Sequence, residues 1–554
     1  MLARIKQINK YSIEKTYLIL VCFSTLLPGF GAIDNNPVRW MSLGFISVLF
    51  IIYDSFLNKN QSKIYFKNSW IIILSSVYVS VNTLMSDNLN ESLISLYKLV
   101  VIVSVFYSCY IATKRIRNPL LFICYLFTFS LFFESVYTIF DFLNFFNNSF
   151  TGISQNRNIS SSSLVFKLIF LIYLIDNSKL ISRKINLKII EVLALISIIC
   201  LQSRLGLYSI FGIYILYLIL MKSSRKNIII SLIAGLLFFQ YFNTTSFENK
   251  IQKNYTFQNI SFDTSTQQRF RFYKTSLSLF KQKPFFGHGL GSWKYKSLQY
   301  GNQQNQNILV PYYTHNDFLQ ILMEAGLIGF LIYASFFWIL FLNILKFRGD
   351  KSFVLMLIVL VVILTNSFIN FPIHRPQEYI PFIVVSSFIF SNKNIYEKNN
   401  QSNRSSFLLI LLIPSLILAK NEYSSLRVQG VLINDYKKNE FSLDLKEIEK
   451  IKYKLPNLSS NVVPISTYLS RYYFNKNRFL ESTKLLAYSL KVNRNDLLTK
   501  ELLLKNYIFT NQKERAYELA KDLVSDFPEN KDYKLILQAI SNDINKKQSQ
   551  RMND

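Results

Sequence analysis

The sequence predicts an all-α protein, in which a membrane bundle of about twelve or thirteen helices precedes a soluble tail of helical hairpins. Half of its 554 residues are hydrophobic, and 49 Phe and 34 Tyr stand among them. A soluble protein of this length does not need so many apolar residues to form its core. The apolar residues also come in blocks of about 12 to 21, separated by short polar and basic stretches, which is a membrane pattern.

The apolar blocks give thirteen candidate spans. A full span needs about 20 apolar residues, so flanking residues must extend the shorter blocks. The first block follows a basic start and lacks a small-residue cleavage site, so we expect a retained helix rather than a signal peptide. The candidate spans are residues 17–32, 40–53, 70–81, 96–113, 120–140, 164–175, 189–201, 205–221, 228–242, 326–345, 353–369, 380–390 and 407–419.

The basic residues predict the orientation of these spans. With the N-terminus in the cytoplasm, every inside loop holds three or more Lys and Arg, whereas the short outside loops hold one or none. That asymmetry is the positive-inside rule. The net charge of +29 therefore reflects topology, and we expect no nucleic-acid partner. The basic inside loops are residues 59–67, 114–117, 179–188, 222–226, 346–351 and 393–404.

The sequence shows no cofactor or metal motif. It has no P-loop, and no G-x-G-x-x-G stands between a strand and a helix. No carboxylate pair marks a nucleotide-sugar metal site, so we predict no cofactor. The four cysteines lie inside apolar blocks without disulfide or metal spacing, and we expect them to be small buried residues. They are Cys22, Cys109, Cys124 and Cys200.

The chain after the last span predicts a separate helical domain outside the cytoplasm. We expect a transmembrane domain over residues 1–419 and the tail over 420–554. Within the tail, the amphipathic stretches 478–492 and 512–526 superpose at a shift of 34 residues. That is the period of a tetratricopeptide helix pair, although a generic array of α-hairpins fits the pattern too.

A few arginines on the outside face break the charge bias. Arg204 is the sharpest case, because it lies in a hairpin with almost no loop between two spans. A charge there is costly unless it faces a cavity or a partner, or reaches the lipid head groups. Arg39 begins a span, where such a reach to head groups is the simpler explanation. The outside arginines are Arg39, Arg157, Arg204, Arg269, Arg271 and Arg375.

All three histidines, His288, His315 and His374, map to the same outside face. Arginine binds phosphate oxygens in a fork, and histidine is suited to proton transfer near neutral pH. Arginines and histidines together are what a diphosphate-bearing lipid substrate would need.

Two segments resemble the signature of the O-antigen ligase and O-antigen polymerase superfamily. Residues 268–293 read QRFRFYKTSLSLFKQKPFFGHGLGSW, and residues 314–329 read THNDFLQILMEAGLIG. Residues 152–162 resemble the family's Asn-rich entry to a middle span, and 202–205 its Ser-Arg hairpin. The resemblance covers roughly residues 152–390. Its signature residues are Arg269, Tyr273, Pro284, Gly287, Gly289, Gly291, His315, Asn316, Glu324 and Gly326.

The resemblance implies a bundle of about twelve spans with one large periplasmic loop, here residues 243–315. It also implies a metal-independent glycosyltransferase in the bacterial cytoplasmic membrane, which moves a glycan from undecaprenyl diphosphate to an acceptor hydroxyl. By analogy, Arg204 and Arg269 hold the diphosphate, and His315 serves the acceptor or the reacting centre. The further substrate-binding candidates are Arg157, Arg271, Asn316, Glu324, Gly287, Gly289, Gly291 and Arg375.

The acceptor and the class of protein stay open at this point. A lipid A-core, a growing glycan or a protein Ser/Thr could receive the glycan. The tail favours a protein acceptor or an assembly complex, because tetratricopeptide arrays bind protein partners. The competing class is a non-enzymatic transporter or scaffold. A flippase should carry paired charges within its spans and symmetry between its halves, and the sequence shows neither.

Overall fold

The computed structural model describes residues 12–57, 69–144, 150–220, 264–300, 312–391 and 405–553. These ranges contain helices, turns and one isolated β-bridge, with no β-strand. The all-α prediction is therefore confirmed for the described part of the chain. The ninth predicted span, residues 228–242, lies outside it, as do parts of the predicted loop 243–315.

The helices before the long loop form the first part of the membrane bundle. A π-helical turn, Tyr53–Leu57, extends the second of them. Each predicted span up to the eighth overlaps one of these helices. In the described ranges they are α1 Ser12–Ser24, α2 Asn36–Ile52, α3 Ser69–Leu84, α4 Leu89–Arg115, α5 Pro119–Asn144, α6 Arg157–Asn177, α7 Ile181–Cys200 and α8 Arg204–Leu220.

The rest of the described chain supplies the loop, the last spans and the tail. Short 3-10 turns follow α10, α11 and α12. The helices are α9 Thr264–Gln282, α10 Trp293–Lys296, α11 Asp317–Ile344, α12 Lys351–Ile369, α13 Pro376–Ser391, α14 Ser405–Lys438, α15 Leu445–Lys450, α16 Ile465–Asn475, α17 Phe479–Val492, α18 Leu497–Phe509, α19 Lys513–Asp526 and α20 Lys531–Asn553.

Seven helices of the described chain are long and apolar enough to cross a membrane. They confirm a polytopic helical bundle. The other predicted spans that lie within the described residues coincide with shorter or less apolar helices. The first predicted span, residues 17–32, is wrong in its second half, because α1 ends at Ser24 rather than at residue 32. Pro28 and Gly29 follow and disfavour helix. The seven are Asn36–Phe56, Leu89–Arg115, Pro119–Asn144, Arg157–Asn177, Asp317–Phe347, Lys351–Ile369 and Leu408–Lys438.

Helix α13 lies at the centre of the bundle. All of its residues from Pro376 to Ser391 are buried. A helix that is covered on every side belongs in the interior of a bundle, and α13 packs chiefly against α4. Its first turn therefore places Gln377 and Glu378 in the interior of the protein, directly after the loop of residues 370–375.

The expectation that the spans lack paired charges is wrong. Glu134 of α5 and Lys167 of α6 form an ion pair of 2.9 Å, and both side chains are almost fully buried. Ser163 donates to the same carboxylate at 3.1 Å, and Gln377 donates to it at 3.3 Å. A charge pair within spans is the feature that was expected of a transporter, so this observation bears on function below.

The tail is built of consecutive helices whose bounds repeat. Helices α17 and α19 begin at Phe479 and Lys513, a shift of 513 − 479 = 34 residues. Helices α18 and α20 begin at Leu497 and Lys531, again 34 residues apart. The two predicted amphipathic helices are thus confirmed to within a residue. Helix α14, Ser405–Lys438, continues across the domain boundary predicted between residues 419 and 420. One helix therefore contains both the last membrane span and the first part of the tail.

Candidate functional site

His315 is held in a strained turn just before α11. Its φ of 57° lies in the left-handed region, which costs a non-glycine residue roughly 1–2 kcal/mol. The Tyr273 hydroxyl donates to the His315 carbonyl at 3.0 Å. The next residue, Asn316, caps α11 by accepting the backbone N–H of Leu319 at 3.0 Å. Strained residues that persist in this way collect at functional sites.

The imidazole of His315 lies in an aromatic pocket. The Phe272 ring is nearly parallel to it at 6.2 Å between centroids, and Phe371 stands edge-on at 4.9 Å. The Asn370 side chain is hydrogen-bonded to the imidazole, and it is itself held because its amide donates to Asn366 at 3.1 Å. Nδ1 of His315 is buried and has no hydrogen-bond partner among the described residues.

The surroundings keep His315 neutral. Burial lowers its pKa to about 4, and the neighbouring cations Arg269 and Arg375 add to that shift, while the hydrogen bond to Asn370 opposes it. A depressed pKa means that the imidazole is uncharged at neutral pH. It can therefore accept a proton there, which a charged imidazolium cannot do.

Arg375 lies on the other side of this pocket. Its guanidinium is 5.5 Å from the Tyr313 ring centroid and 5.2 Å from that of Phe371, and it forms an ion pair with Asp34 at 3.5 Å. Burial lowers the pKa of Arg375, but Asp34 together with Tyr313 and Glu378 outweighs burial, and the net shift is upward. Its Nε is buried without a partner among the described residues, so one donor of the fork stays available.

A stack of three rings, those of Tyr313, Phe371 and His374, lies next to the pocket. Tyr313 lies between Phe371, at 4.4 Å, and His374, at 4.5 Å. Burial lowers the pKa of His374 well below its usual value. The Gln320 amide nitrogen is 3.1 Å from His374 Nε2 and can only donate, so Nε2 is the acceptor of the neutral ring. Asp34, Tyr313 and Asn370 had no motif to mark them in the sequence.

Glu324 binds protein groups rather than facing an open cavity. Its buried carboxylate accepts the backbone N–H of Trp293 at 3.2 Å and the Gln320 amide at 3.3 Å. Its backbone carbonyl accepts the N–H of Gly289 at 2.8 Å. These contacts fasten the glycine-containing loop to α11. Substrate binding by Glu324 stays a prediction that this geometry does not require.

The three loop glycines allow close backbone packing within the protein. A Cβ on Gly287 would lie 2.4 Å from the carbonyl oxygen of Glu324. A Cβ on Gly289 would lie 2.4 Å from Cβ of Ser86, and one on Gly291 would lie 2.6 Å from Oγ of Ser95. All three glycines have positive φ, so the need for glycine is explained without a ligand. Their contact with substrate likewise stays a prediction.

Arg157 and Arg204 belong to a second group of residues. The Arg157 guanidinium lies 4.3 Å above the Phe150 ring, and it donates to Phe150 O at 3.0 Å and to Gln202 Oε1 at 3.5 Å. The neighbouring hairpin residue Ser203 donates to Asn158 at 2.9 Å. These contacts seat the hairpin on the start of α6. Arg204 begins α8 with an exposed side chain.

Arg39 connects the two groups. It is 1% exposed, so its guanidinium does not reach for lipid head groups. It donates to Ile153 O at 2.8 Å, to Leu27 O at 2.9 Å and to the side chain of Gln377. The strap of residues 150–156, which precedes Arg157, is thereby tied to the start of α13, directly after Arg375.

Arg271 lies apart from both groups on the exposed face of α9. It lines an open surface cavity of about 330 Å³ together with Gln267, Phe270 and Lys274. Helix α9 thus presents Arg269 and Phe272 to His315 on one side and Arg271 to the surface on another. The structure therefore brings His315, Arg269 and Arg375 together.

Replacing Arg269 with glutamine is expected to raise the pKa of His315 toward 6.5, because one of the two cations that lower it is removed. Imidazole NMR of labelled protein can follow this, since the chain has three histidines. Arg271→Gln is the matched control on the exposed face of the same helix and should leave the pKa unchanged. Equal pKa values in the wild type and the Arg269 variant would contradict the electrostatic account.

Comparison with known families agrees with this geometry. Residues 189–334 match the family model described as O-Antigen ligase. That stretch includes the hairpin with Arg204, helix α9 with Arg269, the glycine-containing loop and the start of α11 with His315. No curated protein matches the chain. Residues 189–334 of this helical membrane protein are therefore similar to the O-antigen ligase family.

Proposed function

We propose that the protein transfers a glycan from undecaprenyl diphosphate to an acceptor hydroxyl at the outer face of the bacterial cytoplasmic membrane. The supporting observation is a buried, neutral His315 beside Arg269 and Arg375, at the ends of membrane helices. A diphosphate leaves already charged, so it needs cations more than a general acid. The attacking hydroxyl is a weak nucleophile, which a positioned base improves by about 10²–10⁴-fold.

In this proposal His315 is the general base. The role requires the tautomer in which the other ring nitrogen carries the proton toward Asn370 and the unpartnered Nδ1 carries the lone pair. The acceptor oxygen attacks the anomeric carbon and the bond from that carbon to the phosphate oxygen breaks. The bonding electron pair leaves on the diphosphate, and the hydroxyl proton passes to Nδ1. The forks of Arg269 and Arg375 bind the phosphate oxygens.

Arg204 and Arg157 remain predicted ligands of the lipid-linked donor. Their group is tied to the His315 pocket through the strap 150–156 and Arg39. We assign them to the anionic part of the donor next to the membrane. Arg271, on the exposed face of α9, is assigned to the outer end of the bound substrate, next to its surface cavity.

The acceptor that we favour is a protein Ser/Thr. The support is the tail, whose helices repeat at 34 residues as in a tetratricopeptide array. Such arrays bind peptides on a concave face. We place this tail in the periplasm and the N-terminus in the cytoplasm. Ligation to a lipid A-core and polymerisation of a glycan are the alternatives.

The buried ion pair of Glu134 and Lys167 favours a second candidate, a lipid or glycan transporter. The two functions differ in what they need from His315. A transporter moves its substrate without a general base, so it would keep its function in a His315→Ala variant, whereas a transferase would lose it.

In vitro transfer tests the proposal. The full-length protein in lipid nanodiscs is given an undecaprenyl-diphosphate glycan with a peptide, a lipid A-core or a free glycan as acceptor. We expect diphosphate release coupled to glycosylation of the peptide. Product on the lipid or glycan acceptor alone would keep the enzyme class and overturn the protein acceptor. No product with any of them, together with flipping of the donor, would establish the transporter.

A further inference from the structure

Glu91, in the first turn of α4, joins three parts of the molecule. It is 1% exposed. Oε2 forms an ion pair with Lys294 of the extracytoplasmic loop at 2.9 Å. Oε1 accepts the backbone N–H groups of two tail residues, Asn457 at 3.3 Å and Leu458 at 3.1 Å. A single buried carboxylate thus binds the bundle, the loop and the tail together.

The contact around Glu91 is a packed interface. The side chains of Asn88 and Asn457 exchange two hydrogen bonds, of 3.1 Å and 2.9 Å, and both are buried. An apolar cluster from the loop and the tail covers them. Its buried members are Tyr295, Leu298, Leu458, Val462 and Val492.

A continuous set of hydrogen bonds leads from this interface to the site. Trp293, next to Lys294, donates its backbone N–H to Glu324. The carboxylate of Glu324 accepts from Gln320, and the Gln320 oxygen accepts the N–H of Thr314 at 3.1 Å. Thr314 immediately precedes His315. The same Gln320 amide also contacts His374.

We propose that the docked tail is an integral part of the catalytic site, with Glu91 as the positioning residue that connects them. When residues 457 and 458 occupy Oε1, Lys294 and Trp293 are fixed, and with them the start of α11 and the strained turn at His315. Without the tail, Oε1 of Glu91 would lose both of its tail donors while Oε2 kept Lys294, and a buried carboxylate oxygen without a hydrogen-bond donor is costly. The activity consequence rests on the proposed function, whereas docking itself does not.

Docking is measured by cross-linking. The double variant Asn88→Cys/Asn457→Cys is oxidised in membranes, so that a disulfide joins the two side chains that are in contact in the docked state. The native cysteines are buried within other parts of the membrane helices. We expect efficient cross-linking in an otherwise wild-type chain. Glu91→Ala should lose it, whereas Glu91→Gln should keep it, because an amide oxygen still accepts both backbone N–H groups. Undiminished cross-linking in Glu91→Ala would overturn the docking role.

Positioning is measured at His315. In Glu91→Ala we expect a shifted imidazole resonance of His315 and a kcat lowered by about 10- to 100-fold with little change in KM for the donor. The matched control Lys513→Ala breaks an exposed ion pair within the tail and should change neither readout.

An unshifted His315 resonance in Glu91→Ala would overturn the positioning role. The resonance and the cross-link need no substrate, so they decide the proposal even where the wild type shows no transfer. Failure of the proposed function is thereby distinguished from failure of the coupling between tail and site. A double-mutant cycle of Glu91→Gln with Lys294→Gln gives the coupling energy directly, because the two residues are in contact.

Discussion

Replacing His315 with alanine is expected to lower the rate of glycan transfer by about 10²–10⁴-fold, the usual contribution of a positioned general base. The physical reason is that Nδ1 of His315 is buried without a partner among the described residues, and that the ring is uncharged although Arg269 and Arg375 lie close to it. The measurement is single-turnover transfer from an undecaprenyl-diphosphate glycan, with the amount of folded protein normalised by its thermal unfolding in detergent.

The matched control for His315 is another histidine of the same face. The imidazole of His288 is 2.9 Å from the carbonyl of Leu279, a contact that the glutamine amide in His288→Gln can replace. We expect that variant to keep transfer within a few-fold of wild type. Full activity of His315→Ala, or equal losses in both variants, would rule out a specific role for His315.

The acid limb of the pH profile gives a second check on the same residue. In the protein without bound substrate, the pKa of His315 is lowered to about 4. Its neutral form therefore persists down to about pH 5, and protonation of His315 should not reduce the transfer rate near pH 6.5. Bound diphosphate would offset the positive charge of Arg269 and Arg375 and raise the pKa in the complex. The limb of kcat should therefore lie at a higher pH than that of kcat/KM.

Local patterns predicted much of the architecture. Hydrophobic blocks located the helices, because a span must bury about 20 apolar residues whatever its neighbours are. Asn316, which the sequence offered only as a signature residue and substrate-binding candidate, caps α11. The 34-residue repeat predicted the bounds of α17 and α19 to within a residue, because both helices carry the same amphipathic pattern of apolar and polar residues.

Pairings between distant segments could not be predicted from local patterns. Asp34 neutralises Arg375, and Glu134 pairs with Lys167, yet no period or motif connects either pair. The same limit explains Arg39. Its position at the start of a span suggested a side chain that reaches the lipid head groups. Its guanidinium instead donates hydrogen bonds to the backbone carbonyls of Leu27 and Ile153. Long-range partners are a property of the folded bundle alone.

The same distinction separates the predicted site residues. Arg269 and His315 come together because α9 packs on α11, as the family resemblance implied. Arg157 instead contacts Phe150 and Gln202, next to the start of the helix that carries Arg204. The sequence placed these two arginines with the others only because all were predicted on one face. Sharing a face of the membrane restricts depth but leaves the position around the bundle undetermined.

Replacing Gly326 with alanine is expected to lower the free energy of unfolding by about 3 kcal/mol or more, and to abolish transfer with it. Gly326 forms the kink of α11, with φ 64° and ψ −170°, a region that only glycine adopts readily. A Cβ there would lie 2.3 Å from the carbonyl oxygen of Phe285 and 2.7 Å from the N–H nitrogen of Gly287. Backbone atoms cannot move aside as a flexible side chain can.

Two other glycines separate the clash at Gly326 from the backbone strain. Gly349 has φ 94°, and a Cβ added there would have no described atom within 4 Å, so alanine carries the left-handed cost of roughly 1–2 kcal/mol alone. Gly212 lies in α8 with equally open space, and alanine should stabilise that helix by up to about 1 kcal/mol. Thermal unfolding in one detergent ranks all three. If Gly326→Ala unfolds no more easily than Gly349→Ala, then the backbone contact does not brace the kink, and the loop is not what holds His315 in place.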